Sequence, residues 1–132
     1  MEDETFERIV DEAVESLPKE FKGKLNNVSV ITADWPTPHQ LRKLNIKAGH
    51  NHLLFGLYEG IPQTRRRSYG IGGPLPDKIT IFKIPHLMVS RTLNDLEKRV
   101  RSTVMHEIGH HFGMSEEHIR KAEMSRRNRN SN

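Results

Sequence analysis

The chain has 132 residues, of which 34% are hydrophobic and 29% are charged, a balance typical of one polar globular domain. No stretch approaches the roughly 20 apolar residues that a membrane-spanning helix needs. The acidic start Met-Glu-Asp-Glu does not resemble a secretory signal, and we expect no membrane partner. The chain has no cysteine, so a transition-metal site in it must use histidine and carboxylate ligands. This composition is compatible with a cytoplasmic protein, which is the location that we expect.

The formal net charge of +4 is concentrated at one end of the chain. Residues 119–132 hold five Lys and Arg residues against the single Glu123, which accounts for the whole excess. We predict one domain over residues 1–124 and a basic, disordered tail over residues 125–132, because that tail lacks apolar side chains. Such a tail is more often a solubilising end than a nucleic-acid arm. We therefore do not expect a nucleic-acid partner.

Helix and strand signals follow one another in the first half of the chain. Apolar residues at helical spacing predict an amphipathic helix over residues 6–17. β-branched residues predict a short strand at 28–32. The sequence Thr-Pro-His-Gln, beginning at Thr37, predicts a capped helix start, with the proline at the first helical position. A second strand is predicted at 53–58.

The second half of the chain contains the clearest helix. A long loop at 63–77 and a strand at 79–84 come before it. The helix begins near Thr92 and is followed by Gly113, a residue type that favours the left-handed end of a helix. A last helix is predicted from Ser115 to about Met124. The order of elements predicts an α+β fold with helices against one face of a small sheet. One apolar stripe marks the clearest helix, formed by Leu93, Leu96, Val100, Val104 and Ile108.

The segment His106-Glu-Ile-Gly-His110 contains the candidate metal-binding and catalytic residues. The two imidazoles are four residues apart, so they project from one face of the helix and can hold one zinc ion. Glu107 lies beside them and can act as the catalytic base. Two surface histidines would be expected on the outer face of an amphipathic helix. His106 and His110 lie instead on the flank of the apolar stripe, where ligands face a cleft.

The motif and several other segments resemble a known family. The pattern from His106 to Glu116 is similar to the HExxHxxGxxD signature of small bacterial zincin-like metallopeptidases, which are akin to the aspzincins. The resemblance covers about residues 5–121 and implies a minimal zincin-like fold, in which a small mixed sheet packs against an N-terminal helix and an HExxH helix. It also implies one zinc ion. The similar segments are residues 6–13, 57–62, 75–81 and 106–113.

The third metal ligand is the position where the sequence departs from the family. Glu116 stands where the family has aspartate, and the resemblance implies that Glu116 binds the metal although it is one methylene longer. Glu117 is an alternative that also suits the N-terminus of the last helix. His118 is another alternative and would complete an all-histidine site. All three remain candidates at this point.

Two tyrosines are candidates for stabilising an oxyanion beside the metal. Tyr69 lies in the predicted loop and Tyr58 lies in a predicted strand, and ordinary packing is the competing interpretation for both. His111 falls on the apolar stripe, and we predict that it is a hydrogen-bonded histidine in the core.

The main hypothesis is a zinc-dependent metallopeptidase that hydrolyses peptide bonds in a peptide or protein substrate. We expect an extended substrate to pair with an exposed strand at 79–84. A metal-binding module that is catalytically weak or inactive is the alternative. Nucleic-acid association through the basic tail is a weaker alternative. The sequence does not determine the oligomeric state.

Overall fold

The computed structural model describes residues 1–44, 53–60 and 75–130, with side chains described as far as residue 124. None of the helices in these ranges is both long and apolar enough to cross a membrane. The helices and strands within these ranges are α1 Asp3–Glu15, α2 Lys19–Gly23, β1 Val28–Ala33, α3 Pro38–Lys43, β2 Gly56–Glu59, β3 Asp77–Phe82, α4 Lys83–Val89, α5 Leu93–His111 and α6 Glu116–Asn130.

The three described strands form a mixed sheet in the order β1-β3-β2. β1 runs parallel to β3, and β2 runs antiparallel to it. The α+β prediction is therefore confirmed, but the prediction that strand 79–84 is an exposed edge is wrong. β3 is central, and its residues from Ile79 to Phe82 are all buried. A nearly continuous β-branched and apolar run is typical of such a strand, because it is covered on both faces.

The core lies between the sheet and the helices α1 and α5. The apolar stripe predicted for α5 is confirmed except at Leu93, which is 58% exposed at the start of the helix. Ile119 of α6 is also buried and joins the same core. The fully or almost fully buried side chains that α1, β3 and α5 contribute are Phe6, Ile9, Val10, Ala13, Ile79, Ile81, Leu96, Val100, Val104, Met105 and Ile108.

Several local elements differ from the sequence prediction. The sequence did not predict α2 or α4, and Pro85, which directly follows the strand predicted at 79–84, lies in the first turn of α4. A proline is tolerated there because the first N–H groups of a helix have no partner within it. α6 continues to Asn130, so residues 125–130 have a helical backbone where a disordered tail was predicted. Extending an existing helix needs no new nucleus, and arginine is a good helix former. The division into a domain at 1–124 and a tail stays a prediction.

Among the histidines in the described residues, the one buried in the core is His86, not His111. His86 is completely buried, with Nδ1 2.7 Å from the carbonyl oxygen of Phe82 and Nε2 2.8 Å from Oγ1 of Thr103. Burial lowers the pKa of His86, an effect only partly opposed by its hydrogen bond to Phe82. His111 is exposed and stacks on Tyr58, with 3.6 Å between the ring centroids. No sequence signal pointed to His86, because it lies in a helix that was not predicted.

We predict that His86 makes the fold less stable in mild acid. A histidine with a lowered folded pKa contributes stability above its ordinary pKa, and this stability is lost as the pH falls below that value. Chemical denaturation at about pH 7.5 and about pH 5.5, on either side of 6.5, measures this loss. His86→Gln, which does not titrate, should lose less stability between the two pH values than the wild type. Equal losses in the two proteins would contradict the assignment.

Candidate metal centre

Helix α5 places His106 and His110 on one flank, as the spacing predicted. Their ring centroids are 5.9 Å apart, and their side chains are 35% and 56% exposed. The opposite flank of the same helix is buried against the core. The two imidazoles therefore stand at the border between the core and solvent, where both Nε2 atoms can reach a shared ligand.

The chain reverses direction immediately after the motif. Gly113 has a φ of +74°, and its N–H donates to the carbonyl of His110 at 3.3 Å. The N–H of Met114 donates to the carbonyl of Gly109 at 2.8 Å. This pair of bonds is a Schellman motif, which ends a helix with a left-handed residue. The predicted role of Gly113 is confirmed, and the turn starts α6 beside the last turn of α5.

Glu116, at the start of α6, reaches both imidazoles. Its Oε1 lies 2.5 Å from Nε2 of His110, and its Oε2 lies 3.5 Å from Nε2 of His106. The hydrogen bond from His110 lowers the pKa of the Glu116 carboxyl, which is therefore ionised at neutral pH. Two imidazole nitrogens and one carboxylate converge here.

Imidazole nitrogens and a carboxylate are donor types that zinc binds, but the distance between His110 and Glu116 must increase to admit the ion. Two ligands on one tetrahedral zinc, each about 2.0–2.1 Å from the metal, lie roughly 3.3 Å apart. The distance from Nε2 of His106 to the Glu116 carboxylate is close to that value, whereas Nε2 of His110 is closer because it is hydrogen-bonded directly to the carboxylate. Within the described residues, no group of three or more metal-binding side chains has the geometry of a formed ion site. Zinc binding here requires loss of the proton through which Nε2 of His110 is hydrogen-bonded to Glu116.

The two other candidates for the third ligand have different partners. The Glu117 carboxylate lies 3.3 Å from the Lys121 amine on the outer face of α6. His118 Nε2 lies 2.6 Å from a carboxylate oxygen of Glu20. Among the three candidates, the structure thus brings only Glu116 to the two imidazoles.

A contact at Nδ1, the ring nitrogen that does not face Glu116, fixes the orientation of His106. Its Nδ1 lies 2.8 Å from the carbonyl oxygen of Ser102, one turn earlier in α5. A carbonyl oxygen only accepts hydrogen bonds, so Nδ1 carries a proton, and Nε2 is the ring nitrogen that faces Glu116. Metal-binding histidines typically donate their other ring N–H in this way, which leaves Nε2 for the metal.

Glu107 lies between the core and the imidazoles. Burial raises the pKa of its carboxyl, and nearby His110, the backbone N–H of Tyr58 and His106 oppose that rise. Carboxyl groups that work as general bases are often raised in this way, because proton transfer is most efficient when the pKa lies near the working pH. The catalytic role proposed for Glu107 therefore has a suitable environment.

The approach of β2 to Glu107 depends on Gly56, which the sequence did not single out. A Cβ atom at Gly56 would lie 2.7 Å from Cγ2 of Thr103 and 3.4 Å from Cγ of Glu107. The absence of a side chain lets β2 pack directly on α5. A glycine within a predicted strand was the only available signal.

The two tyrosine candidates are not brought to the metal ligands by any described contact. The hydroxyl of Tyr58 donates to Asp77 at 2.8 Å. The group of Tyr58 that meets Glu107 is its backbone N–H, at the other end of the residue. Tyr69, like most of the predicted loop at 63–77, lies outside the described residues. Oxyanion stabilisation by either residue stays a prediction.

Comparison with known proteins shows the family to which this chain belongs. The family model for zincin-like metallopeptidases matches residues 25–126, so the chain belongs to that family. A search of curated proteins found no match. A solved structure of a conserved hypothetical protein from T. thermophilus is similar in fold, with a TM-score of 0.52 and 24% identity. The similarity covers 83% of this chain and 92% of that one.

We predict that Gly109→Ala loosens the contact between α5 and α6. The new Cβ would overlap Cδ1 of Ile119, and overpacking typically costs about 1–3 kcal/mol. That cost should exceed the roughly 1 kcal/mol that alanine gains in a helix. Urea denaturation measures the net loss, and Ile119→Val, which removes Cδ1, should restore part of it in the double variant. Gly23→Ala is the control, because nothing lies within 4 Å of its new Cβ.

We also predict that Glu107→Gln stabilises the metal-free protein at neutral pH. A carboxyl with a raised folded pKa contributes stability at low pH that is lost as the pH rises through that pKa. Glutamine does not ionise and avoids the loss. Thermal unfolding should show a higher Tm for Glu107→Gln at about pH 7.5, with the difference narrowing towards about pH 4.3. A Tm difference that stays constant with pH would contradict the raised pKa.

Proposed function

We propose that this protein is a zinc-dependent metallopeptidase with one zinc ion held by His106, His110 and Glu116. The observation that carries the proposal is the convergence of both Nε2 atoms on the Glu116 carboxylate, with Glu107 partly buried beside them. Membership of the zincin-like metallopeptidase family supports the same reaction class.

The chain's own residues supply the proton chemistry. Zinc, when bound, provides a Lewis acid that polarises a carbonyl and makes water nucleophilic at neutral pH. Glu107 would take a proton from the attacking water and deliver it to the leaving amine. Its raised pKa favours both steps, since the carboxyl accepts a proton readily and can still release it.

The peptide substrate would lie along β2 and not along β3. The N–H of Phe82 donates to the carbonyl of Phe55 at 2.9 Å, so these residues form a hydrogen-bonded antiparallel pair. Pairs alternate along such a ladder, so Gly56 and Tyr58 direct their backbone groups away from β3. The N–H of Tyr58 already meets Glu107 on that side. An extended peptide paired with this edge would pass beside the catalytic base.

A metal-binding module with little or no turnover is the second candidate. Its supporting observation is the exposure of the centre: the side chains of His110 and Glu116 are 56% and 68% exposed. Electrostatic catalysis is strongest in sites that exclude water, and a site this open suits binding as well as hydrolysis. Nucleic-acid association through residues 125–132 and a cytoplasmic location stay predictions.

Two substitutions test the proposal and separate its two forms. Glu116→Ala should weaken zinc binding by more than the roughly 10–100-fold typical of residues that only orient a ligand. Glu107→Gln should retain zinc and lose peptide hydrolysis. Competition with a chromophoric chelator measures zinc affinity, and cleavage of a mixed peptide library followed by mass spectrometry measures turnover.

Glu117→Ala is the matched control, because it removes the adjacent carboxylate, which pairs with Lys121 instead of the imidazoles. A wild-type protein that takes up no zinc would overturn the proposal. Zinc binding without cleavage in the wild type would leave the binding module as the function.

A further inference from the structure

Helix α6 turns one stripe of side chains towards α5. Glu116, Ile119 and Glu123 are spaced by three and four residues, which places them on one face of a helix. Glu116 meets His110, and Ile119 is buried against Gly109. Glu123 continues the same face one turn further on, where it meets α5 beside Ser102. The stripe therefore carries a second carboxylate towards the candidate centre.

Glu123 contacts His106 at Nδ1, the ring nitrogen that does not face Glu116. Its Oε1 lies 3.4 Å from Nδ1 of His106 and accepts a hydrogen bond of 3.0 Å from the hydroxyl of Ser102. That hydroxyl oxygen is itself 3.3 Å from Nδ1. The Glu123 side chain is 29% exposed, less than half the exposure of Glu116. The carboxylate is held in place by Ser102 and is partly shielded from water.

These contacts act on the nitrogen that does not face the centre. The backbone carbonyl of Ser102 already holds the proton on Nδ1. A negative charge on the same side stabilises that proton and makes the opposite nitrogen, Nε2, a stronger electron donor. The same charge resists rotation of the ring, since rotation would break the contacts with Ser102 and Glu123.

We propose that Glu123, held by Ser102, is a positioning residue that orients His106 and increases its affinity for the metal ion. The inference rests on the proposed function, because it assigns His106 as a ligand. It adds that α6 supplies both Glu116, the proposed third ligand, and Glu123, the carboxylate beside Nδ1 of His106. The two roles depend on the same helix packing, at Ile119 against Gly109.

Zinc affinity of the full chain tests the inference. Glu123→Gln removes the charge while keeping an oxygen that can accept from Ser102, and it should weaken zinc binding about tenfold. Glu123→Ala should weaken it further. Ser102→Ala should have a smaller effect than Glu123→Ala, because it keeps the Glu123 carboxylate beside Nδ1 of His106. The control is Glu117→Gln, which makes the same charge change on the same helix at an exposed position and should leave zinc affinity unchanged.

A second measurement separates positioning from a general loss of structure. Nitrogen-15 NMR of the metal-free protein reports which imidazole nitrogen carries the proton, and the His106 signals are assigned by their absence in His106→Gln. Glu123→Gln should shift these signals without lowering the Tm, whereas Glu117→Gln should not shift them.

Equal zinc affinities for Glu123→Gln and Glu117→Gln would overturn the inference and leave the proposed function intact. Weaker binding with unchanged His106 signals would also overturn it, because the effect would not pass through His106. A wild-type chain that binds no zinc would overturn both proposals, a result distinct from the other two.

Discussion

The close contact of α6 with α5 is the constraint on which the candidate centre depends. Ile119 occupies the space that a side chain at Gly109 would fill. The left-handed conformation of Gly113 turns the chain back so that this contact can form. Two glycines within five positions therefore bring α6 against the motif. Without these two glycines, α6 would not be held in the position that brings the Glu116 carboxylate to the two imidazoles.

The two flanks of α5 lie in different environments, one buried and one partly exposed to solvent. One flank buries its apolar stripe in the core, and the other leaves His106 and His110 partly open to solvent. Glu107 stands between them, where burial raises its pKa and the neighbouring imidazoles and the Tyr58 N–H oppose that rise. A carboxyl in this position is costly to ionise and close to positive charge at once. This combination suits a group that must both accept and release a proton.

The order of strands in the sheet decides which described strand has an open edge. β3 is paired on both sides, so its backbone groups are already used. β2 lies at an edge among the described strands and packs on α5 through Gly56. The strand nearest to Glu107, the proposed catalytic base, thus also has backbone groups directed away from the sheet. The packing of Gly56 against α5 places this edge of the sheet beside Glu107.

The sequence by itself determined the local features of this protein. The spacing of His106 and His110, the apolar stripe of α5, the Thr37 cap and the turn at Gly113 all depend on helix geometry, which acts within a few residues. Only the tertiary structure decided that β3 is central, that His86 is the buried histidine in place of His111, and that Glu116 meets the imidazoles while Glu117 and His118 do not. These outcomes depend on contacts between elements distant in sequence or on the direction of a side chain after a turn. Neither the periodicity nor the spacing of residues specifies such contacts.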